Sequence, residues 1–179
     1  MKGLLLLILL IANINLVAQT TNFIACASKY ALCTTAKCTP VAGKKGIVAC
    51  DCDVKTGYSA GTKQCQQVKN TKKGQLIYSR YYPIKSYASC ANSRPWAWCL
   101  DKPCIIDPKN PSKAACACSV VKNLGNYVIV TDTYQKSTCT TGLISSATIA
   151  QLDQITNFLK TQKAPRPFPI KVVNQEQSP

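Results

Sequence analysis

The chain has 179 residues, with 22 Lys or Arg against 7 Asp or Glu, a formal charge of +15, twelve Cys and no His. Without imidazole, Ser-His-Asp and Cys-His nucleophilic systems, His general bases and every zinc site with an imidazole ligand are excluded. What stays legible is the compartment, the covalent framework, an internal duplication and the kind of partner the charge suits.

Lys2 precedes the apolar run Leu4–Ile11, which is followed by Asn13, Asn15 and the small residue Ala18. That run falls well short of the ~20 apolar residues that cross a bilayer. Its basic start, short core and small residue at 18 predict a signal peptide over 1–18, and so a secreted or periplasmic protein. A lipoprotein reading of Phe23-Ile-Ala-Cys26 is weaker, because Phe23 suits the leading position poorly and lipidation of Cys26 would leave an odd number of thiols. In an oxidising compartment the cysteines point to disulfides rather than to metal binding or cytosolic redox chemistry.

The cysteines fall into two sets of six. Cys33, Cys38, Cys50 and Cys52 recur as Cys99, Cys104, Cys116 and Cys118, each displaced by 66 positions without a gap. The outer members are looser: Cys26 corresponds to Cys90 and Cys65 to Cys139, at displacements of 64 and 74. Residues between them repeat too, since Tyr30-Ala31-Leu32-Cys33 answers Trp96-Ala97-Trp98-Cys99 and Ala49–Val54 answers Ala115–Val120. One repeat is therefore expected over 19–65 and a second over 90–142. Each is predicted to contain a strand, a reverse turn and a strand bearing Cys-x-Cys, the turns being Gly43–Gly46 and Asp107–Pro111. Strand alternation puts Cys50 and Cys52 on one side, as it does Cys116 and Cys118, so each pair can staple to two different partners. The spacing alone does not choose among the many pairings that six cysteines allow.

The order Cys, Cys, Cys, Cys-x-Cys, Cys over 26–65, with Gly57-Tyr58 before the last, resembles that of epidermal-growth-factor modules. This resemblance implies pairing of Cys26 with Cys38, Cys33 with Cys50 and Cys52 with Cys65. It implies no calcium site, because the acidic residues such a site needs are missing before Cys26. A repeat this small buries too little apolar surface to fold on that alone, so cross-links at ~2–4 kcal/mol each must carry much of the stability.

Between the repeats, residues 66–89 contain Lys69, Lys72, Lys73, Arg80, Lys85, Tyr78, Tyr81, Tyr82 and Tyr87 and no acidic residue. Leu76–Tyr87 is rich in strand formers and predicts a connecting strand with Tyr78, Arg80 and Tyr82 on one face and Pro83 at an edge or bend. Asn123–Asn126 predicts the turn of a second hairpin that returns through Tyr127–Thr131. Within 143–160, Ile149, Leu152, Ile155 and Leu159 recur at helical spacing behind a Ser cap. The tail 161–179, with Pro165, Pro167 and Pro169, is expected to be extended or disordered. The fold class expected is small, disulfide-rich and mainly β: two tandem six-Cys repeats joined by a basic, Tyr-rich strand, plus one C-terminal amphipathic helix.

Four features bear on chemistry. The Cys-x-Cys pairs have the spacing of redox dithiols, but their repetition in a secreted twelve-Cys chain favours structural bonds. Asp51 and Asp53 share a strand face, as the paired carboxylates of a glycosidase do; their counterparts are Ala117 and Ser119, so a solvated face is expected. Ser119-Val-Val-Lys122 and Lys55-Thr-Gly57 match two motifs of penicillin-binding enzymes in reversed order and without the middle one, and are read as coincidence.

The fourth feature is the basic segment, where Lys72, Lys73, Arg80 and Lys85 supply attraction for anions and Tyr81 and Tyr82 supply stacking or interfacial anchoring. Trp96 and Trp98 are further contact candidates, equally suited to the core. The expected role is non-catalytic binding of an anionic polymer, a membrane surface or another secreted protein, with no cofactor or metal and no intracellular nucleic acid as partner. The alternative is a secreted inhibitor or toxin-like effector that presents the Gly43–Gly46 or Asp107–Pro111 turn on a rigid scaffold. An enzyme that works without His is the third reading.

Overall fold

The computed structural model describes residues 22–82, 84–91, 94–122, 125–135, 137–140, 142–162 and 171–173. The expected signal peptide, Pro83, part of the 123–126 turn and most of the tail lie outside the described residues. In chain order the strands are Ile24–Leu32 (β1), Cys38–Pro40 (β2), Ile47–Gly61 (β3), Lys69–Thr71 (β4), Gly74–Tyr78 (β5), Ser86–Cys90 (β6), Trp96–Trp98 (β7), Pro103–Ile106 (β8), Lys113–Val121 (β9), Tyr127–Val130 (β10) and Ser145–Ser146 (β11). The helix Ile149–Thr161 (α1) and the strand Lys171–Val172 (β12) follow.

Alternation organises the centre. Along β3, Val48, Cys50 and Cys52 are buried while Asp51 is exposed; along β9, Ala114, Cys116 and Cys118 are buried while Ala115 and Ala117 are exposed. The two strands pair antiparallel with Cys50 opposite Cys116, which puts both sulfur-bearing faces on the same side of one sheet. β3 also carries β1 and β2, and β9 carries β7 and β8. The registers correspond: Tyr30 opposite Lys55 is matched by Trp96 opposite Val121, and Cys38 opposite Cys50 by Cys104 opposite Cys116. Val48 faces Cys118 while Cys52 faces Ala114, so an approximate two-fold axis passes between Cys50 and Cys116.

Six disulfides lock this arrangement, and each set nests: Cys26–Cys65, Cys33–Cys52 and Cys38–Cys50, then Cys90–Cys139, Cys99–Cys118 and Cys104–Cys116. The inner bonds span 19 and 12 residues in both sets. The pairing implied by the growth-factor resemblance is therefore overturned. The physical reason is register: Cys38 sits opposite Cys50 in the β2–β3 ladder, and Leu32 opposite Asp53 puts the next residue, Cys33, beside Cys52. Antiparallel pairing of consecutive strands produces nested bonds, whereas the implied pairing interleaves them.

Several local expectations change. The segment predicted as one strand from Leu76 to Tyr87 is broken after Tyr78 and resumes as strand at Ser86; β4 and β5 form a hairpin that joins the edge of the sheet through β8, and β6 starts a second sheet. β10 does not return along β9 but pairs with β6, and β12 adds to the other edge of β6 in parallel, so residues 171–172 of the tail are a strand. The helix cap is Thr148 rather than Ser: its hydroxyl accepts from the Gln151 backbone N–H and the Gln151 side chain accepts from the Thr148 N–H. Ser145 and Ser146 instead pair with β7. Ile155 and Leu159 turn the buried face of α1 onto Ala60, with Phe23, Tyr81 and Phe158 alongside.

No cysteine is free among the described residues, which fits an oxidising compartment. Among these residues no helix is long and apolar enough to cross a membrane. Cys65 is exposed and Cys139 half-buried, while the other ten are buried. Thiolate attack needs access to sulfur. Limited reduction followed by alkylation and mass spectrometry is therefore expected to open Cys26–Cys65 first and Cys90–Cys139 next, with the four inner bonds last.

Candidate functional site

The residues of the basic segment are dispersed. Lys72 and Lys73 form the exposed turn of the β4–β5 hairpin, closed by Thr71, whose hydroxyl accepts from Lys73 N–H at 3.2 Å and donates to Gly74 O at 2.6 Å. Lys85 is exposed and Tyr82 half-buried. Tyr81 keeps part of its ring accessible but has its hydroxyl enclosed, without a hydrogen-bond partner. Arg80 is only 5 % exposed, which corrects its assignment to a surface shared with Tyr78 and Tyr82. Trp96 is fully buried against Tyr127, and half-buried Trp98 meets Trp96 and, edge-on, Tyr81.

The inward turn at Arg80 is made by its neighbour Ser79, which reaches across the two-fold axis. Ser79 N–H donates to Lys102 O at 3.0 Å, its carbonyl accepts from Asp101 N–H at 2.9 Å, and its hydroxyl donates to Cys99 O. Ser145, displaced by 66, does the same on the other half: its N–H donates to Ala36 O at 2.8 Å and its hydroxyl to Cys33 O. The turns thus closed each hold a residue at positive φ, Asp101 at 55° and Thr35 at 56°.

At the first of these turns sits a buried ion pair. Arg80 Nη1 lies 3.5 Å from Asp101 Oδ1, and both side chains are 5 % exposed. The guanidinium also donates to Ser59 Oγ at 3.1 Å, Lys63 O at 3.2 Å and Ile24 O at 2.5 Å. Asp101 Oδ2 accepts from the Thr62 N–H at 2.7 Å and the Thr62 hydroxyl at 2.8 Å. Gly61 leaves the room: a Cβ there would lie 2.4 Å from Asp101 Oδ1 and 2.7 Å from Arg80 Nη1. Burial lowers the Arg80 pKa and the Asp101 charge opposes that.

Other charged groups are solvated. Asp53 is 2.9 Å from Lys113 and 3.6 Å from Lys55, and Asp51 is 3.8 Å from Lys113. The hydrogen bond from Lys113 holds the Asp53 carboxyl below its usual range. This is a solvated ion cluster on the open sheet face. Sulfur atoms of Cys33, Cys99 and Cys118, and of Cys33, Cys52 and Cys116, lie within 4.8 Å of one another, but all are bonded in disulfides and offer no thiolate to a metal.

No family model, curated protein or solved structure matches the chain. The functional geometry therefore stands on the residues alone. Sequence reasoning missed Asp101 as the partner of Arg80, since nothing local marks it. It also missed the serine pair, for which a signal existed: Ile77-Tyr78-Ser79 and Leu143-Ile144-Ser145 are both apolar-apolar-Ser at the displacement of the inner cysteines.

Removing one partner of a buried pair strands the other charge. Asp101→Leu is expected to lower stability by ~3–5 kcal/mol, and Arg80→Met/Asp101→Leu by less than that single change, in non-reducing denaturant melts. Phenols supply a second test. Burial, with a smaller contribution from Tyr82, pushes Tyr30 up to about 12 from 10.0. Burial, then the Asp101 charge, also raises Tyr81. Because the folded pKa values exceed the unfolded ones, this stability is intact below pH 10.0 and is lost as pH climbs toward about 12. Stability measured against pH should fall over that window, and less steeply in Tyr81→Phe.

Proposed function

We propose that the protein is a secreted, non-catalytic binding module built from a duplicated six-cysteine unit, with the basic, Tyr-rich 66–89 segment between the copies, and that a lysine-rich edge of its sheet binds an anionic polymer. The apolar run at 4–11 and the six disulfides support secretion. The displacement of 66 shared by strand registers, inner disulfides and turn-closing serines supports duplication.

One observation carries the binding reading: at one edge of the sheet four exposed lysines outnumber the one carboxylate of the adjoining turn, Asp107, whose Oδ1 accepts from the Lys109 backbone N–H at 2.8 Å. Asp101 is neutralised by Arg80 inside the fold, and Asp51 and Asp53 are held by Lys113 and Lys55. Lys69, Lys72, Lys73 and Lys109 are exposed and have no ion-pair partner among the described residues. They lie close together, because Leu76 pairs with Ile105 and Gly74 abuts the Ile106 carbonyl, which brings the Lys72–Lys73 tip next to the turn that carries Lys109. A cluster of cations at one edge of a chain of charge +15 attracts polyanions by releasing their counterions. Arg80 and Tyr81 leave the contact surface; Lys72 and Lys73 remain its centre.

A second reading, inhibition by a presented turn, draws on the anchoring of both turns to the opposite half. Val120 N–H donates to Gly46 O at 2.9 Å and Val54 N–H to Ser112 O at 2.8 Å. Salt separates the two readings, since polyanion binding weakens steeply with ionic strength and docking of a rigid turn does not. On immobilised heparin, Lys72→Ala/Lys73→Ala/Lys109→Ala is expected to elute at clearly lower salt than Lys29→Ala/Lys63→Ala/Lys160→Ala, which loses the same charge elsewhere. Coincident elution of the two variants would sink the edge site.

A further inference from the structure

On the far side of the two-fold axis from the Arg80–Asp101 pair, a pocket opens under α1. Thr34, Thr35, Tyr81, Val130, Ser146 and Leu152 are among its walls, and its cavity of about 60 Å³ lies beneath an open mouth. No charged side chain lines it among the described residues.

Its origin can be read from the other half. Thr35 and Ser146 stand at the positions that correspond, by the displacement of 66, to Asp101 and Arg80. The backbone around them is equivalent: Val130 N–H donates to Thr35 Oγ1 at 3.0 Å, as Thr62 N–H donates to Asp101 Oδ2 at 2.7 Å. Beside Gly61 the ion pair fills the space, so tightly that only glycine fits there. At the equivalent site under α1 a serine and a threonine replace it, and Ala147 stands at the position that corresponds to Tyr81. The Ser146 hydroxyl is taken up by backbone of the neighbouring strand, accepting from the Val128 N–H at 3.1 Å and donating to Val128 O. The volume that an arginine and an aspartate occupy on one side is thus left open on the other, with neutral walls.

We propose that this pocket is a ligand site for small, uncharged molecules with an apolar body and a single carbonyl or ether oxygen, distinct from the lysine edge. The class follows from the lining. Val128, Val130, Leu152 and Ile155 supply apolar contact. Thr35 Oγ1 already accepts a hydrogen bond from Val130, so its hydroxyl proton is available to an acceptor on the ligand. A charged ligand would be desolvated against walls that carry no counter-charge, which excludes carboxylates and amines. The cavity volume limits the buried part to a single small ring or short chain.

The test uses cyclohexanone titrated into the oxidised full-length protein and followed in the amide NMR spectrum. Saturable shifts clustered at Thr35, Val130, Ser146 and Leu152, unchanged between low and high salt, are the expected result. Thr35→Asp/Ser146→Arg, which rebuilds the counterpart of the Arg80–Asp101 pair, should weaken binding by roughly tenfold or more. Asp tolerates the positive φ at 35 well, as Asp101 does at its own turn. Ala147→Leu fills the pocket without charge and serves if the double variant fails to fold. Absence of saturable shifts, shifts centred elsewhere, or equal binding by a folded pocket-filled variant would each overturn the proposal. Loss of heparin affinity in the lysine variants leaves this readout untouched, so the two proposals fail separately.

Discussion

The structure depends on a layer of sulfur at the junction of β3 and β9. Cys50 and Cys116 face one another across the two strands, and the inner disulfides of the two halves pack so closely that sulfurs from different bonds lie within 4.8 Å. Around them the core is thin, consisting largely of alanines and single aliphatic side chains such as Val48, Ile77 and Ile106. Such a core would not by itself offset the chain entropy of two short halves. The disulfides both restrict the unfolded chain and fill the place that branched side chains take in a larger domain. Because the layer straddles the axis, neither half owns it, and the inner disulfides of both sets lie against one sheet.

The reach of Ser79 and Ser145 into each other's half follows from the same symmetry. A segment that leaves one half beside the axis lands on the edge of the other, and its serine closes the turn there by bonding both sides of it. The two turns are equivalent in backbone and unequal in side chains. One received Asp101 with Arg80 packed over it, the other Thr35 with Ser146, and the same scaffold therefore carries a buried charge pair on one side and a neutral pocket on the other.

The charge distribution follows from the pairing of the scarce acidic groups. With Asp101 spent on Arg80 inside the fold and Asp51 and Asp53 on an open-face cluster, Lys69, Lys72, Lys73 and Lys109 at the hairpin and the adjoining turn face a single carboxylate there, Asp107. A basic sequence thus becomes a localised basic edge. Tyr81, close to these cations in the linear sequence, instead packs under α1, and Tyr82 lines the pocket there.

By itself the sequence determined the mainly β character, the strand–turn–strand around each Cys-x-Cys, the sidedness of Cys50 and Cys52, and the amphipathic helix, because these rest on periods of two and 3.6 residues and on turn chemistry. It also carried the displacement of 66, a property of spacing alone. Which cysteines bond was decided by strand register, which needs both strands in place before it exists. The burial of Arg80 was decided likewise: its neighbours in sequence are strand formers that suit an exposed edge, while its partner Asp101 is 21 residues away and is brought to it only when Ser79 crosses the axis. The pocket under α1 has no sequence signal at all, since it is the space left where two small side chains stand in the place of two large ones.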